Sequence, residues 1–375
     1  GGARVDLYDG MPSPARKFLM AGKSGLNITH SEDEAVFRTR YDAPDSRLAA
    51  MVEAFGPAEI VRWMGGLGIE SYVGSSGRVY PVSMKASPLL RAWLARLGTG
   101  GATLHTRHYW RGWDAEGRLV FFTPQGEVAV EADATVLALG GASWARLGSD
   151  GEWAPVLQRR GVEIIRFGAA NCGFLVPWSE HLLRTHEGAP VKNVRLKAFG
   201  RESRGDFVIT KDGIEGGAVY PLAARLRNAA QQGEPQKLQV DFLPDMEMAE
   251  LVSRLSSTAP KESLANRLRK AVRLSPVKIA LWQEMFRDSG MREPEVVART
   301  LKAFPLLLKG PLDIDKAIST TGGVSWTALD ENLMLKDIPG TYCAGEMVAW
   351  DAPTGGYLLT ACLAMGRAAG RAASG

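Results

Sequence analysis

Short apolar runs that end in glycine or in an acid alternate along this chain with stretches of helical spacing. Residues 5–8 form one such run and predict a buried strand that ends at Asp9. Residues 134–139 predict a second strand, which is followed by two glycines. Residues 319–324 and 340–345 have the same character. The pattern is typical of buried strands whose ends lead into glycine-rich loops.

Apolar residues at helical spacing predict helices between these strands. The predicted helices cover residues 46–63, 87–97, a segment near Val156, residues 221–230, the whole of 245–309 and residues 358–373. Alternating residues over 104–130, with turns at 114–117 and 124–126, predict a three-stranded meander. Residues 171–243 are rich in glycine turns and are predicted to be mostly β.

The order of these elements predicts an α/β protein with a Rossmann-like, nucleotide-binding sheet and an insertion. A chain of 375 residues is long enough for two or three domains. We expect residues 1–170 to form the first part of the nucleotide-binding domain and residues 171–244 an inserted β-rich domain. Residues 245–318 are expected to form an inserted helical subdomain, and residues 319–375 to return to the first domain.

Composition and charge narrow the class of protein. Hydrophobic residues make up 45% and charged residues 23%, which is ordinary for a folded soluble protein. No run of about 18 apolar residues occurs, so no membrane span is predicted. Lys and Arg number 45 against 41 Asp and Glu, and basic residues form no long run. A nucleic-acid partner is therefore not expected.

The cysteines and histidines suggest neither a disulfide framework nor a metal site. Cys172, Cys343 and Cys362 are far apart and form no C-x-x-C pair, so a reducing cytoplasm is the expected location. His105 and His108 are expected on one strand, with their rings on opposite faces.

Asp9 has two possible roles. In a dinucleotide-binding βαβ unit, the second strand ends in an acid that accepts the ribose hydroxyls, about 20 residues after a glycine-rich loop. That reading requires a strand and a G-x-G-x-x-G loop upstream of Gly1, and it leads us to expect that the sequence is a fragment. In the alternative, Asp9 only ends a strand before the turn at residues 10–12.

A second candidate site is the double glycine, Gly355 and Gly356, which precedes the predicted C-terminal helix. A helix start exposes free N–H groups and the positive end of the helix dipole, which favours an anion or an electron-rich ring. The alternative is a tight turn from strand to helix without any ligand.

Several stretches together resemble the BaiN/RdsA-type NAD(P)/FAD-dependent oxidoreductases, a family of flavoproteins with two dinucleotide-binding domains. The matching stretches, in family order, are residues 5–9, 16–29, 138–144, 207–217, 320–324 and 344–357. The resemblance implies a Rossmann-like FAD-binding domain and an FAD-dependent oxidoreductase. The chain departs from the family pattern at Leu26, Ala349 and Leu358, which puts transfer of any relative's substrate in doubt.

The resemblance also implies which residues contact FAD. Asp9 would bind the adenosine ribose, and the strand at residues 106–108 would pass the adenine. Residues 139–141 would flank the pyrophosphate, while Gly345 and Glu346 would hold the ribityl and phosphate region. The full set of expected cofactor residues is Asp9, Arg16, Lys17, Gly22, Ser24, Gly25, Asn27, Arg107, Leu139, Gly140, Gly141, Gly345, Glu346, Asp351, Thr354, Gly355, Gly356, Tyr357 and Leu358.

Residues 354–358 would face the isoalloxazine ring, which makes Tyr357 the best candidate for a catalytic residue. Its alternative is a stacking or structural phenol. The expected function is hydride transfer between a small organic substrate and flavin, with NAD(P)H as a transient electron donor. Two alternatives stay open: a flavin-dependent RNA-modifying type of enzyme, and a non-catalytic truncated flavoprotein fragment.

Overall fold

The computed structural model describes residues 2–23, 25–43, 45–258 and 262–375. The chain divides into two compact units. The first unit combines Gly1–Gly168 with Ser319–Gly375, and the second unit is Ala169–Ile318. The predicted assignment of nucleotide-binding, β-rich and helical domains to stretches of the chain stays a prediction.

The first unit begins with a long run of short elements. Its strands are β1 (Asp6–Asp9), β2 (Thr29–His30), β3 (Ser71–Val73), β4 (Arg78–Pro81), β5 (Thr103–Thr106), β6 (Tyr109–Trp113), β7 (Leu119–Thr123), β8 (Gly126–Val130), β9 (Thr135–Leu137) and β10 (Ile164–Ala170), the last of which continues into the second unit. Its helices are α1 (Arg16–Ala21), α2 (Glu34–Arg38), α3 (Arg47–Ala54), α4 (Pro57–Gly65), α5 (Ala86–Thr99) and α6 (Ala154–Gln158).

The second unit follows, and the chain then returns to the first. The second unit contains α7 (Glu180–His186), α8 (Ala223–Gln231), α9 (Met248–Ser256), α10 (Leu264–Ala271), α11 (Pro276–Phe286) and α12 (Pro294–Lys302), with strands β11 (Phe174–Leu175), β12 (Pro190–Ala198), β13 (Arg201–Thr210), β14 (Gly213–Glu215), β15 (Gln236–Asp241) and β16 (Phe304–Leu308). The return consists of β17 (Ser319–Val324), β18 (Thr341–Cys343) and α13 (Tyr357–Ala373). Short 3₁₀ turns occur at Ala145–Leu147, Tyr220–Leu222, Ile314–Lys316, Trp326–Ala328 and Gly345–Met347.

Parallel pairing of strands that are distant in sequence defines the first unit. β1 pairs in parallel with β5, and β9 pairs in parallel with β18. Parallel neighbours need long crossover connections, which is why these strands belong to different parts of the chain. The loops that follow β1, β9 and β18 therefore leave the carboxyl ends of parallel strands, where α/β proteins bind their ligands.

The C-terminal helix contributes its small residues to the core of the first unit. Ala361, Ala364 and Ala369 of α13 are buried, whereas Arg367 and Arg371 on the same helix are exposed. Small side chains let a helix backbone approach its neighbours closely, and α13 thereby packs its whole length against this core.

The second unit is an antiparallel sheet packed with helices. Its strand order is β11, β14, β13, β12, β15, β16. Alternate residues of β12, such as Val194 and Leu196, are fully buried, as expected for a strand with one face on the core. They share a hydrophobic cluster with Leu251, Leu268 and Trp282 from the helices.

Three predicted elements differ from the structure. The helix predicted over 46–63 is two helices, because the extended backbone of Gly56 precedes Pro57, and a residue before proline is disfavoured in the helical region. The meander is formed by β6, β7 and β8, while β5 pairs with β1 instead. The segment predicted to be helical over 245–309 ends in strand β16, which pairs with β15.

The prediction that His105 and His108 lie on opposite faces of one strand is wrong. β5 ends at Thr106, and Arg107 has a φ of 59°, in the left-handed region. The two imidazole rings are consequently only 5.5 Å apart between centroids. Both rings contact Tyr8, at centroid distances of 4.6 Å and 5.5 Å.

Within the described part of the chain, none of the helices has the length and apolar character needed to cross a membrane.

A buried lysine gives the second unit an unusual ionisable group. Lys278 of α11 is only 7% exposed. Its Nζ donates to the carbonyl oxygen of Phe242 at 2.6 Å and to that of Asn193 at 3.1 Å. Burial lowers the pKa of Lys278 to about 8, against the opposing effect of nearby carboxylates, first among them Asp241.

The lowered pKa of Lys278 predicts that the free energy of unfolding depends on pH in the alkaline range. The folded chain releases the Lys278 proton near pH 8, whereas the unfolded chain keeps it until about pH 10.4. The unfolded state therefore binds more protons in between, and stability rises with pH. Relative to Lys278→Met, the wild type should gain about 1–2 kcal/mol of unfolding free energy between about pH 8 and 9.5. Urea denaturation at several pH values measures this, and a constant difference would contradict it.

Candidate functional site

Asp9 lies at the carboxyl end of β1, and its carboxylate caps the loop that follows. One oxygen, Oδ1, accepts from the backbone N–H of Met11 at 2.8 Å, and Oδ2 accepts from that of Ala15 at 3.3 Å. The Asp9 carbonyl accepts from the N–H of His108, and the Met11 carbonyl accepts from that of Arg107. The chain folds this way because β1 and β5 are parallel neighbours. Asp9 and Arg107, both predicted cofactor residues, thus lie at the carboxyl ends of neighbouring parallel strands.

Lys17 and Glu346 form a partly buried ion pair that joins several segments of the first unit. Lys17 Nζ lies 2.7 Å from Glu346 Oε2 and donates to Ser143 Oγ at 2.8 Å and to Ser149 Oγ at 3.3 Å. Glu346 Oε1 accepts from the N–H of Thr320 at 3.0 Å. Helix α1, the loop after β9, strand β17 and the loop after β18 therefore converge on one pair of charges.

Gly141 is required by the close approach of Thr320, which lies beside this ion pair. A Cβ at Gly141 would lie 1.7 Å from Thr320 Oγ1 and 3.1 Å from the Glu346 carboxyl carbon. The neighbouring Gly140 has a φ of 75°, and its carbonyl accepts from Trp153 Nε1 at 2.9 Å. Leu139, just before the two glycines, packs against the core of the unit. Close packing within the protein explains Gly141, in addition to any approach of a ligand.

The double glycine at the start of α13 also makes a close contact. Gly355 and Gly356 have φ values of 131° and 94°. A Cβ at Gly356 would lie 2.4 Å from the Cα of Thr29. Thr360 Oγ1 donates to the Gly356 carbonyl at 2.9 Å, and it lies 2.9 Å from Thr29 Oγ1. The start of α13 is therefore fixed against Thr29, the first residue of β2.

Tyr357, the first residue of α13, donates its hydroxyl to a carboxylate. Tyr357 Oη lies 2.6 Å from Glu32 Oε1, and Glu32 Oε2 accepts from Arg40 at 2.7 Å. The Tyr357 ring is buried and packs on Phe37 at 4.7 Å between centroids. Its backbone carbonyl accepts from the hydroxyl of Tyr41 at 2.9 Å.

The electrostatics of this group keep Tyr357 protonated and Glu32 ionised. Burial, and then the hydrogen bond to Glu32, raise the pKa of the Tyr357 phenol. The hydrogen bond from Arg40 holds the pKa of the Glu32 carboxyl below its usual value. Tyr357 is therefore a poor base, and its proton already points at Glu32.

Glu32 and Arg40 were not among the residues predicted from the sequence. Both lie beyond the glycine-rich stretch that resembles the family, in the approach to and exit from the short helix α2. The cluster of acids at residues 32–34 is typical of a helix start, and Asp33 does cap α2. The sequence holds no signal that connects Glu32 with a tyrosine 325 positions later.

The remaining predicted residues of α1 and of the loop between α1 and β2 have mostly local contacts. Arg16 Nε donates to Ser13 Oγ at 3.1 Å. A Cβ at Gly22 would lie 2.6 Å from the Cβ of Ala86, and Gly25 has a φ of 123°. Asn27 Oδ1 is buried and has no hydrogen-bond partner among the described residues. Ser24 lies outside the described residues.

The other predicted cofactor residues lie in the C-terminal segment of the first unit. Gly345 has a φ of 78°, and its carbonyl accepts from Trp350 Nε1 at 2.9 Å. The backbone of Asp351 pairs with that of Asp42 in an isolated antiparallel bridge. Thr354 and Leu358 are half-buried on either side of the double glycine. Over the described ranges, no cluster of His, Cys, Asp and Glu is arranged to hold a metal ion.

The sequence profile of the HI0933-like protein Rossmann domain matches residues 1–372. The chain belongs to this family. The predicted resemblance and the Rossmann-like α/β fold class are thereby confirmed. Family membership also indicates the general class of the predicted function, an FAD-dependent oxidoreductase.

Two relatives have assigned activities. The chain is similar to the 3-dehydro-bile acid delta(4,6)-reductase of Clostridium scindens, with 25% identity over 395 aligned positions that cover 100% of this chain and 93% of the relative. It is also similar to the ribosomal RNA dihydrouridine synthase of Haemophilus influenzae, with 24% identity over 234 positions that cover 59% of this chain and 55% of the relative.

Two solved structures are distantly similar to this chain. The structure of the 3-ketosteroid-delta4-(5alpha)-dehydrogenase of Rhodococcus jostii RHA1 aligns with this chain with a TM-score of 0.48 and 16% sequence identity. The alignment covers 100% of this chain and 92% of the dehydrogenase chain. A flavocytochrome c3 fumarate reductase in its open conformation has a TM-score of 0.48 and 13% identity, covering 99% and 78%.

The contact between Gly356 and Thr29 predicts a large difference between two glycines of the same region. Gly356→Ala places a methyl group against backbone and strains a positive φ, which should cost about 2–4 kcal/mol. Gly366→Ala adds a methyl group with nothing within 4 Å of it in the interior of α13. That control should be neutral or stabilising by up to about 1 kcal/mol. Thermal denaturation of both variants measures the difference, and equal midpoints would refute the contact.

Proposed function

We propose that this chain is an FAD-dependent oxidoreductase that transfers hydride between a small organic substrate and the flavin, with NAD(P)H as a transient electron donor. One observation carries the proposal. Glycine-containing loops that leave the carboxyl ends of β1, β9 and β18 belong to one unit, and the Lys17–Glu346 ion pair joins two of them to α1. Such strand ends are where Rossmann-like proteins bind dinucleotides.

The buried side-chain oxygen of Asn27 indicates that the residues present fit FAD. A buried acceptor without a donor costs about 1–3 kcal/mol. Asn27 Oδ1 has no donor in the part of the chain that the structure describes, so it is suited to a bound group that donates a hydrogen bond. The ribityl hydroxyls and the ring N–H of FAD are donors of this kind. At Gly22 and Gly25 the absence of a side chain lets the backbone pack against the side chains of Ala86 and Met84, which orders the loop that carries Asn27.

Under this proposal, each loop holds one part of the cofactor. Asp9 and Arg107 would hold the adenosine, and residues 139–141 would hold the pyrophosphate. Lys17, Asn27 and Glu346 would hold the ribityl region. The other predicted residues stay assigned to the same cofactor: Arg16, Gly22, Ser24, Gly25, Gly345, Asp351, Thr354, Gly355, Gly356, Tyr357 and Leu358.

The chemistry that FAD supplies when bound is the acceptance and donation of hydride at a ring nitrogen. The chain contributes the start of α13, a helix of 17 residues whose free N–H groups and dipole favour negative charge beside it. Gly355 and Gly356 expose that backbone. Tyr357 contributes a rigid, protonated phenol, and it acts as an acid on substrate only when its hydroxyl leaves Glu32.

The two relatives and the charge of the chain support the proposed class of substrate, a small organic molecule. The relative named for a bile acid aligns with the whole chain, which supports a small organic molecule. The relative named for ribosomal RNA aligns with 59% of it and supports the RNA-modifying alternative. A formal charge of only +4 on 375 residues, without a long basic run, favours the small molecule.

FAD titration of the purified chain tests the proposal. The wild type should bind FAD and show flavin absorption bands, which NADH or NADPH should bleach in the absence of oxygen. Asn27→Ala should weaken FAD binding about 10-fold while leaving the cofactor-free chain as stable as the wild type or more stable, because the variant removes an unsatisfied acceptor.

The exposed Asn332 provides the matched control, since Asn332→Ala should leave the dissociation constant of FAD unchanged. Failure of the wild type to bind added FAD would overturn the proposed function. Equal dissociation constants for Asn27→Ala and the wild type would remove Asn27 from the cofactor site.

A further inference from the structure

One face of the hairpin formed by β3 and β4 carries apolar side chains that remain exposed. Tyr72 of β3 lies directly opposite Tyr80 of β4, so the two side chains share a face, and their rings stack at 5.8 Å between centroids. Val82 lies two positions after Tyr80 and continues this face. Tyr72 is 42% exposed and Val82 is 58% exposed, whereas Val79 on the opposite face is buried.

Met84 completes the exposed face. Its Sδ accepts from the hydroxyl of Tyr72 at 2.9 Å, and its side chain is half-buried. The surface formed in this way, the hairpin face, consists of Tyr72, Tyr80, Val82 and Met84. All four side chains are uncharged. Aromatic rings beside a flexible thioether make a surface that adapts to the shape of an apolar ligand.

The backbone of Met84 has a conformation that glycine adopts more easily. Met84 ends a turn in which its N–H donates to the carbonyl oxygen of Pro81 at 2.8 Å. Its φ is 59°, in the left-handed region, which is unfavourable for a residue with a Cβ. A glycine would form the same turn without this strain, so the turn alone does not explain a methionine. Strain of this kind is often found at functional positions.

The hairpin face borders the loop that is assigned to the flavin. A Cβ at Gly25 would lie 2.5 Å from Met84 Cε and 3.6 Å from Tyr80 Cε1. The Met84 carbonyl accepts from the N–H of Leu26 at 2.9 Å. Asn27, whose side-chain oxygen is suited to the cofactor, is the next residue of this loop. A molecule bound to the hairpin face would therefore lie beside the group that this loop binds.

We propose that the hairpin face recognises the substrate and that it binds a planar, apolar ring system, either aromatic or fused. The inference rests on the proposed function, because it takes the neighbouring loop to hold FAD. Tyrosine rings stack on flat apolar rings, and a thioether packs well against ring edges. Tyr72, Tyr80 and Met84 are thus specificity-determining residues.

Area and charge favour a small molecule over other occupants of the hairpin face. Four partly exposed side chains offer far less than the about 800 Å² per partner that a stable protein–protein interface buries. Anionic membrane surfaces attract clusters of basic residues, whereas the hairpin face has no charged member. A small ring system matches both the limited area and the lack of charge.

Binding of 2-naphthol, a flat and uncharged probe, to the cofactor-free chain tests the hairpin face. In an NMR spectrum of the chain with isotope-labelled methionine methyl groups, the Met84 signal should shift on addition of 2-naphthol. Its absence from the spectrum of Met84→Leu assigns it. Tyr72→Ser and Tyr80→Ser should each raise the dissociation constant of 2-naphthol about 5- to 10-fold, the effect of losing one aromatic contact. Phe122→Ser, which removes an exposed ring of β7, should leave that constant unchanged.

Met84→Gly separates binding from folding. The substitution relieves the positive φ while it removes the thioether, so the urea midpoint of the cofactor-free chain should stay at the wild-type value. The dissociation constant of 2-naphthol should nevertheless rise about 5-fold. A midpoint that falls while the probe binds as tightly as before would assign Met84 to the fold and overturn its role in specificity.

The FAD-loaded chain tests whether the hairpin face lies beside the flavin. Adding 2-naphthol should change the flavin absorption bands, with the same dissociation constant that the Met84 signal gives in that sample. Binding to the face without any change in the flavin bands would overturn its role toward the substrate. Absence of FAD binding would overturn the proposed function and leave the result on the cofactor-free chain intact.

Two further outcomes would overturn the recognition surface itself. One is a Met84 signal that 2-naphthol does not shift, or Tyr72→Ser and Tyr80→Ser variants that bind the probe as the wild type does. The other is a wild-type dimer in sedimentation that Tyr72→Ser abolishes, because the hairpin face would then be covered by a second copy of the chain.

Discussion

The ion pair between Lys17 and Glu346 is the interaction on which the candidate site depends. It draws α1, the loop after β9 and the loop after β18 to one point, and the N–H of Thr320 completes the hydrogen bonding of the carboxylate. A partly buried pair of this kind is costly to break, because either partner left alone is a charge away from water. The tight packing of Gly141 against Thr320 and Glu346 follows from the same convergence. The parallel pairing of β9 with β18 holds two of these loops side by side, and the ion pair adds α1 to them.

A second constraint is the approach of the α13 start to the loop that ends at Thr29. Glycine is needed at position 356 because the backbone of Thr29 occupies the space of a side chain. This contact orders the backbone around Tyr357, and Tyr357 in turn orders Glu32, Arg40 and the ring of His30. The free N–H groups at the helix start are thus held in a fixed direction. Electrostatic stabilisation by a helix start depends on such preorganisation.

The sequence predicted those features that depend on local pattern. The strand that ends at Asp9, the double glycine before a helix and the family resemblance all follow from residues that are near one another in the chain. The break at Gly56 and Pro57 could also have been read locally, since proline restricts the residue before it. The pairing of β5 with β1, and the approach of His105 to His108 beyond Thr106, depend on which strands become neighbours.

Contacts between distant segments could not be predicted from periodicity. Nothing local marks Glu32 as the acceptor for Tyr357, or Gly141 as the neighbour of Thr320, because each contact joins residues that the fold alone brings together. The same holds for Asn27 Oδ1, which is buried and has no hydrogen-bond partner within the described ranges. Its neighbours resemble the family motif, but only the tertiary structure shows an acceptor without a donor. Sequence patterns predict which face of a helix or strand is buried and where the chain turns, whereas tertiary packing determines which groups form hydrogen bonds.

The most direct measurement of the central claim is a double-mutant cycle on FAD binding with Lys17→Met, Glu346→Gln and the combined variant. If the pair holds the loops together as one cofactor-binding surface, each single variant should raise the dissociation constant of FAD. The dissociation constant of the combined variant should then be only slightly higher than that of either single variant. The coupling free energy should then be about 1 kcal/mol or more. Additive effects of the two substitutions, or FAD binding that neither changes, would contradict the account.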